Sequence, residues 1–211
     1  GMSLDLVLTP GVLERKRPQT PQPPFPYKTE ELSFRCEEDG VNGLLTNPLG
    51  FPGKGSQSKE EVVLWGTLVT PDKAKDAPLV VFIYGSGQQN RDEEIFEHKP
   101  FAVIADRLAK NGIASFRYDD RGTGESNGLR ADLTTEDFRQ DALCAKRMLR
   151  AKGYSRIGIV GHSEGGLIAF MIAGEQPKDV DFIVSLSGPT VDGQTTLTLQ
   201  IAKMAEMVGQ V

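Results

Sequence analysis

This sequence of 211 residues is short of the groups that usually carry chemistry: it has two histidines, two cysteines and one tryptophan. The cysteines, Cys36 and Cys144, lie far apart and fit no metal-ligand spacing, so a structural zinc site is excluded. Both are expected as structural thiols; a disulfide between them is allowed but has no support in the sequence. Basic residues do not outnumber acidic ones. A net charge of −5 argues against nucleic acid, whose phosphate backbone needs clustered Lys and Arg. No apolar run approaches the roughly 18 residues that cross a bilayer. The first residues also lack the charged head and apolar block of a signal peptide. A soluble protein with no membrane partner is therefore expected, its compartment left open. No glycine-rich phosphate loop follows the first strand, and no His, Cys and Asp residues cluster at ligand spacing, so neither an organic cofactor nor a metal is implied.

What is present is apolar patterning and turn chemistry. Residues 1–28 hold "KRPQTPQPPFPY", with five prolines in twelve residues. Such a run excludes helix and central strand and suggests an extended arm or linker. From residue 29 the pattern becomes regular. "ELSFRCEE" alternates as a strand does, and "VVLWGTLVTP" (62–71) is a clearer one. Between them lies a loop rich in Gly, Asn and Pro. "PLVVFIYG" (78–85) is apolar on both faces, as in a strand covered by helices on both sides. Pro100, Phe101, Ile104, Ala105 and Leu108 recur at helical spacing, and Asn111-Gly112 supplies the stop. "IASFRYDD" (113–120) is the next strand. Thr134-x-x-Asp137 forms a capping box for a helix whose stripe is Phe138, Ala142, Ala145 and Leu149. "RIGIVG" is a strand, residues 164–174 a mostly apolar helix, and "VDFIVSLSG" another strand. From Thr195, the residues Leu197, Ile201, Met204 and Val208 mark a last amphipathic helix. Alternation of strand and helix predicts an α/β fold with a mostly parallel sheet flanked by helices. The expected organisation is an arm over 1–28, a core over 29–194, and over 195–211 the start of a cap or a following helix.

The chemistry-bearing stretch is "RIGIVGHSEGGLIAF". Gly161-His162-Ser163-Glu164-Gly165 reads G-x-S-x-G, with Gly166 added. It follows an apolar strand and opens a helix, the context in which this motif presents a nucleophilic serine. A strand that turns straight into a helix strains the apical residue, and Gly161, Gly165 and Gly166 leave room for that turn. Ser163 then stands at the carboxyl edge of the sheet, where open α/β folds bind ligands. The helix N-terminus behind it favours a developing oxyanion. A second backbone donor is expected from the loop "YGSGQQNRDEE", so the amides of Ser86 and Glu164 are the candidate oxyanion pair.

Three blocks in order, "YGSGQQNRDEE", "YDDRGTGESNG" and "GHSEGG", make the chain from about Thr29 onward resemble the α/β-hydrolase superfamily. Within it the chain is similar to bacterial esterases and serine aminopeptidases related to dienelactone hydrolases. The resemblance implies hydrolysis of a carboxylic ester or related acyl bond of a small molecule through an acyl-enzyme on Ser163, with peptide and thioester bonds left open. It departs from the group's His-Gly-Ser-Gly loop in carrying Tyr84 in place of the histidine. Asp119, Asp120 and Arg121 can be read as an acid and anion clamp, but the resemblance favours a structural turn whose side chains hold neighbouring loops.

That mechanism needs Ser, acid and His in this chain order, the His taking the serine proton. By resemblance the acid follows the seventh strand and the His the eighth. About six strands are countable here, and no histidine follows Ser163. His162 adjoins the serine and is expected to point away from it, and His98 precedes a helix. The expectation is therefore a core truncated after about six strands, its acid and base beyond Val211, and inactive alone. A non-catalytic ligand-binding or interaction module on the same fold is the alternative, and a site completed by a second chain or an unusual base is the third. An incomplete sheet also leaves an edge open to homodimer pairing.

Overall fold

The computed structural model describes residues 17–36, 61–72, 76–178 and 180–209. The loop expected over 40–60 and most of the N-terminal arm lie outside the described residues. Six strands form one sheet: β1 (Tyr27–Cys36), β2 (Val62–Pro71), β3 (Leu79–Ile83), β4 (Ala114–Tyr118), β5 (Ile157–His162) and β6 (Ile183–Leu186). Four helices accompany them: α1 (Pro100–Lys110), α2 (Thr135–Ala151), α3 (Glu164–Glu175) and α4 (Gly193–Val208). The strand order is β1-β2-β4-β3-β5-β6. β1, β2 and β4 pair antiparallel, while β4, β3, β5 and β6 run parallel.

β3 sits at the centre because its sequence leaves no polar face: all five residues are buried. Its side chains alternate between two helical layers, as the period of a strand dictates. Phe82 meets Phe101 of α1 at a centroid distance of 4.7 Å. Ile83 joins Ala142 and Leu143 of α2 and Ile168, Ala169 and Ile172 of α3. The chain passes from β3 to β4 on one side and from β4 over to β5 on the other. The carboxyl ends of β3 and β5 are thus a switch point, where such sheets open a crevice.

α2 starts where the sequence placed its cap. The Thr134 side chain and the Asp137 carboxylate close a reciprocal capping box, and Ala142, Ala145 and Leu149 of the expected stripe are buried.

One expectation is corrected. Cys36 and Cys144 are not free thiols: they form a disulfide with Cα atoms 5.5 Å apart, tying the end of β1 to α2. The sequence hid this because 108 residues separate them; only the packing of α2 against β1 brings the two sulfurs together. The stripe of α4 exists but has nothing to bury against among the described residues: Leu197, Ile201, Met204 and Val208 are 59% to 75% exposed. β6 is the edge of the described sheet, and its Val184 is 41% exposed. No described helix is long and apolar enough to cross a membrane.

Candidate active site

β5 runs into α3 without a loop, and Ser163 is the pivot. Its backbone lies at φ 51°, ψ −118°, a region that side-chain-bearing residues adopt only when the surroundings force it. The forcing is visible in the glycines. A Cβ on Gly161 would come within 2.1 Å of the Gly165 carbonyl oxygen, and one on Gly165 within 2.2 Å of the Ile83 carbonyl oxygen. Gly166 packs in the same way against Gly188 and the Ser185 hydroxyl. The helix can therefore start directly above β3 only because these positions lack side chains. Ser163 N–H is held by the Leu186 carbonyl at 2.9 Å, which fixes the turn to β6.

A cleft of about 1090 Å³ opens here, with Gly85, Ser86, Glu93, His162, Ser163 and Glu164 in its wall. Its apolar side comes from Ile95, Ile104, Leu167, Leu186 and Leu197. The sequence-predicted residues Ser86, Ser163 and Glu164 thus meet in one cleft. Among the described residues, the Ser86 N–H has no hydrogen-bond acceptor, and Glu164 opens α3, where first-turn amides have no partner within the helix. The Glu164 side chain points elsewhere: it accepts a 2.5 Å hydrogen bond from Thr135 Oγ1 at the start of α2. Thr135 and Glu164 also border a second chamber of about 460 Å³, lined further by Gly87, Asp120, Leu129 and Phe138.

Neither histidine bonds to Ser163. His98 lies outside the cleft lining, its Nδ1 2.7 Å from Gln19 Nε2. His162 turns to Glu93, with Nδ1 2.7 Å from Oε1. Glu93 is the residue that sequence reading missed. It sits within the quoted loop block but carries no spacing signal, and only the folded loop brings it under Gly85 and beside His162.

The "DDRGTGES" block is a brace. Asp119 accepts hydrogen bonds from Arg91 at the backbone N–H (2.8 Å) and at Nη2 (2.6 Å). Asp120 accepts from the Gln89 N–H at 2.8 Å. Arg121 is committed to Asp141 of α2 through two 2.8 Å bonds, with both side chains 2% exposed. The three residues therefore tie the β3–α1 loop and α2 to the end of β4. Burial pushes the Asp120 carboxyl from 3.8 up to about 8, with the Asp141, Asp119 and Glu164 carboxylates adding to the shift and the Gln89 N–H opposing it. Tyr84, which stands where the similar group has histidine, is buried; its hydroxyl accepts the Tyr118 N–H at 2.8 Å.

A mostly parallel sheet with helices on both faces and a serine at the strand-to-helix turn of the switch point defines the α/β-hydrolase class. Solved structures agree on the fold. The Pyrococcus furiosus esterase Pf2001 superposes with a TM-score of 0.57 at 20% identity, over 87% of this chain and 58% of that one. Est1E from Butyrivibrio proteoclasticus, solved with ferulic acid bound, gives 0.50 at 25% identity, over 60% of this chain and 49% of that one. Esterase EstD of Thermotoga maritima is 33% identical over 166 residues, 78% of this chain and 35% of EstD. Residues 97–211 match the family described as serine aminopeptidase, S33, and the chain belongs to that family of hydrolases. It spans about a third of the length of EstD.

Proposed function

We propose that this chain carries the nucleophile and the oxyanion donors of a serine hydrolase acting on carboxylic esters or related acyl bonds of small molecules. The observation that carries the reading is the strained backbone of Ser163 at the mouth of a large, partly apolar cleft. Ser163 Oγ would attack the acyl carbon, forming the Oγ–C bond. The carbonyl oxygen would take the negative charge beside the Ser86 and Glu164 N–H groups. Collapse breaks the bond to the leaving alcohol, which departs with a proton, and water then releases the acid. The apolar wall suits an acyl chain, and the esterase relative supports the ester class. No hydrogen bond joins Ser163 to His162 or His98, whose described partners are Glu93 and Gln19, and we assign the proton acceptor to a group other than these two.

That same observation favours a second reading, a ligand-binding module that uses the cleft without turnover. One experiment separates them. The product of the natural gene is treated with a fluorophosphonate and assayed on short p-nitrophenyl esters, alongside Ser163→Ala. The hydrolase reading expects an adduct on Ser163 and a fall in kcat of roughly 10⁴-fold or more in the variant. Turnover that survives Ser163→Ala refutes the nucleophile, and ligand binding with neither adduct nor turnover supports the module.

A further inference from the structure

The two proposed oxyanion donors belong to different chain segments, Ser86 to the β3–α1 loop and Glu164 to the β5–α3 turn. Such donors act only if held within about half an ångström of the position the oxyanion will take. Something must therefore fix a glycine-flanked loop against a strained turn, and one side chain reaches both. Glu93 Oε1 accepts the Gly85 N–H at 2.8 Å and lies 2.7 Å from His162 Nδ1. Glu93 is buried, at 7% exposure, while the imidazole it holds lines the cleft.

We infer that Glu93 is a positioning residue of the acyl-transfer site: its carboxylate clasps Gly85 of the oxyanion loop to His162 of the serine turn and so aims the Ser86 N–H at the reacting carbonyl. This inference rests on Ser163 being the nucleophile. Three features support it. First, the clasp engages the Gly85 amide at the end of β3, and the amide that follows it in the cleft wall, that of Ser86, has no acceptor among the described residues. Second, Glu93 holds a left-handed backbone at φ 50°, a conformation retained by a non-glycine residue when something over-determines it. Its N–H is closed onto the Asn90 carbonyl at 2.9 Å. Third, the junction has no slack. A Cβ on Gly85 would lie 3.2 Å from Ser163 Cβ and 3.3 Å from both Glu93 Oε1 and His162 Nδ1. The far part of the same loop is pinned independently by Asp119 and Asp120, so loss of the clasp loosens only the portion facing the cleft.

The test compares the natural protein with Glu93→Ala, Glu93→Gln and Ser163→Ala. In Glu93→Ala, kcat on p-nitrophenyl esters is expected to fall roughly 10- to 100-fold, below the cost of deleting a whole oxyanion donor. KM is expected to stay within about threefold, because the displaced amide binds the transition state rather than the ester. Glutamine can still accept the Gly85 N–H and is expected to recover most of the loss. Equal kcat in Glu93→Ala, or a loss confined to KM, overturns the inference, as does a glutamine variant no better than alanine. The exchange rate of the Gly85 amide, followed by NMR without substrate, reads the clasp independently of turnover. It is expected to rise roughly tenfold or more in Glu93→Ala and to stay unchanged in Ser163→Ala. An unchanged rate in Glu93→Ala overturns the clasp whatever the ester assay gives. A faster rate combined with no turnover in the natural protein overturns the nucleophile reading, and with it the catalytic role of Glu93, while the clasp itself stands.

Discussion

Replacing Asp120 by asparagine should make the protein more stable, and by an amount that grows with pH. Asp120 is 5% exposed at the end of β4 and faces a void of about 10 Å³ lined also by Tyr84, Gly85, Gly87 and Glu164. Its carboxyl is raised from 3.8 to about 8, mainly by burial. Between these two pH values the folded protein holds a proton that the unfolded chain has released. The stabilisation is complete below 3.8 and is lost as pH rises to about 8, because folding then requires a buried charge. A shift of about four units at about 1.4 kcal/mol each sets a ceiling near 6 kcal/mol. Water and dipoles drawn to the ionised group reduce it, so we expect about 3 kcal/mol. Asparagine keeps an oxygen for the Gln89 N–H and cannot ionise. Urea unfolding of both proteins at about pH 5, 7 and 9 should give a small difference at the lowest pH and about 3 kcal/mol in favour of Asp120→Asn at the highest. A difference that is flat with pH refutes the reasoning, and a difference that shrinks with pH refutes its sign.

Other predictions rest on separate features. The disulfide closes a loop of 108 residues, so its reduction, or Cys36→Ala with Cys144→Ala, should destabilise by about 3–5 kcal/mol; a thiol count of two on the unreduced, unfolded protein would rule the bond out. Asp141→Ala leaves the Arg121 guanidinium buried with its carboxylate gone and should cost about 3–5 kcal/mol, visible as a lower denaturation midpoint. The open edge at β6 and the bare apolar side of α4 should make this chain associate as its concentration rises; a constant monomer mass by light scattering over about a hundredfold range would contradict that.

The parts legible in the sequence were those set by local rules. β3 showed as an unbroken apolar run because both its faces are covered, and α2 announced its start through Thr134 and Asp137. The turn at Ser163 was readable because glycine is required where Gly161 and Gly165 touch neighbouring backbone. What stayed hidden depended on residues distant along the chain. The Cys36–Cys144 bond and the Glu93–His162 contact arise only once α2 packs on β1 and the β3–α1 loop folds over β5. The α4 stripe had the right period, but periodicity names a face and not its partner.

Thr135 and Glu164 line both chambers and are joined by a hydrogen bond from Thr135 to Glu164, made by side chains at the first positions of two helices. The amide proposed to meet the oxyanion belongs to the same Glu164 but to its main chain, which every amino acid except proline possesses. Selection can therefore redraw the volume offered to a substrate at position 135 or 164 while the donor stays in place. On the proposed reading, the range of acyl groups taken into the cleft would then be open to evolutionary drift by single substitutions, without any rebuilding of the turn that carries the serine.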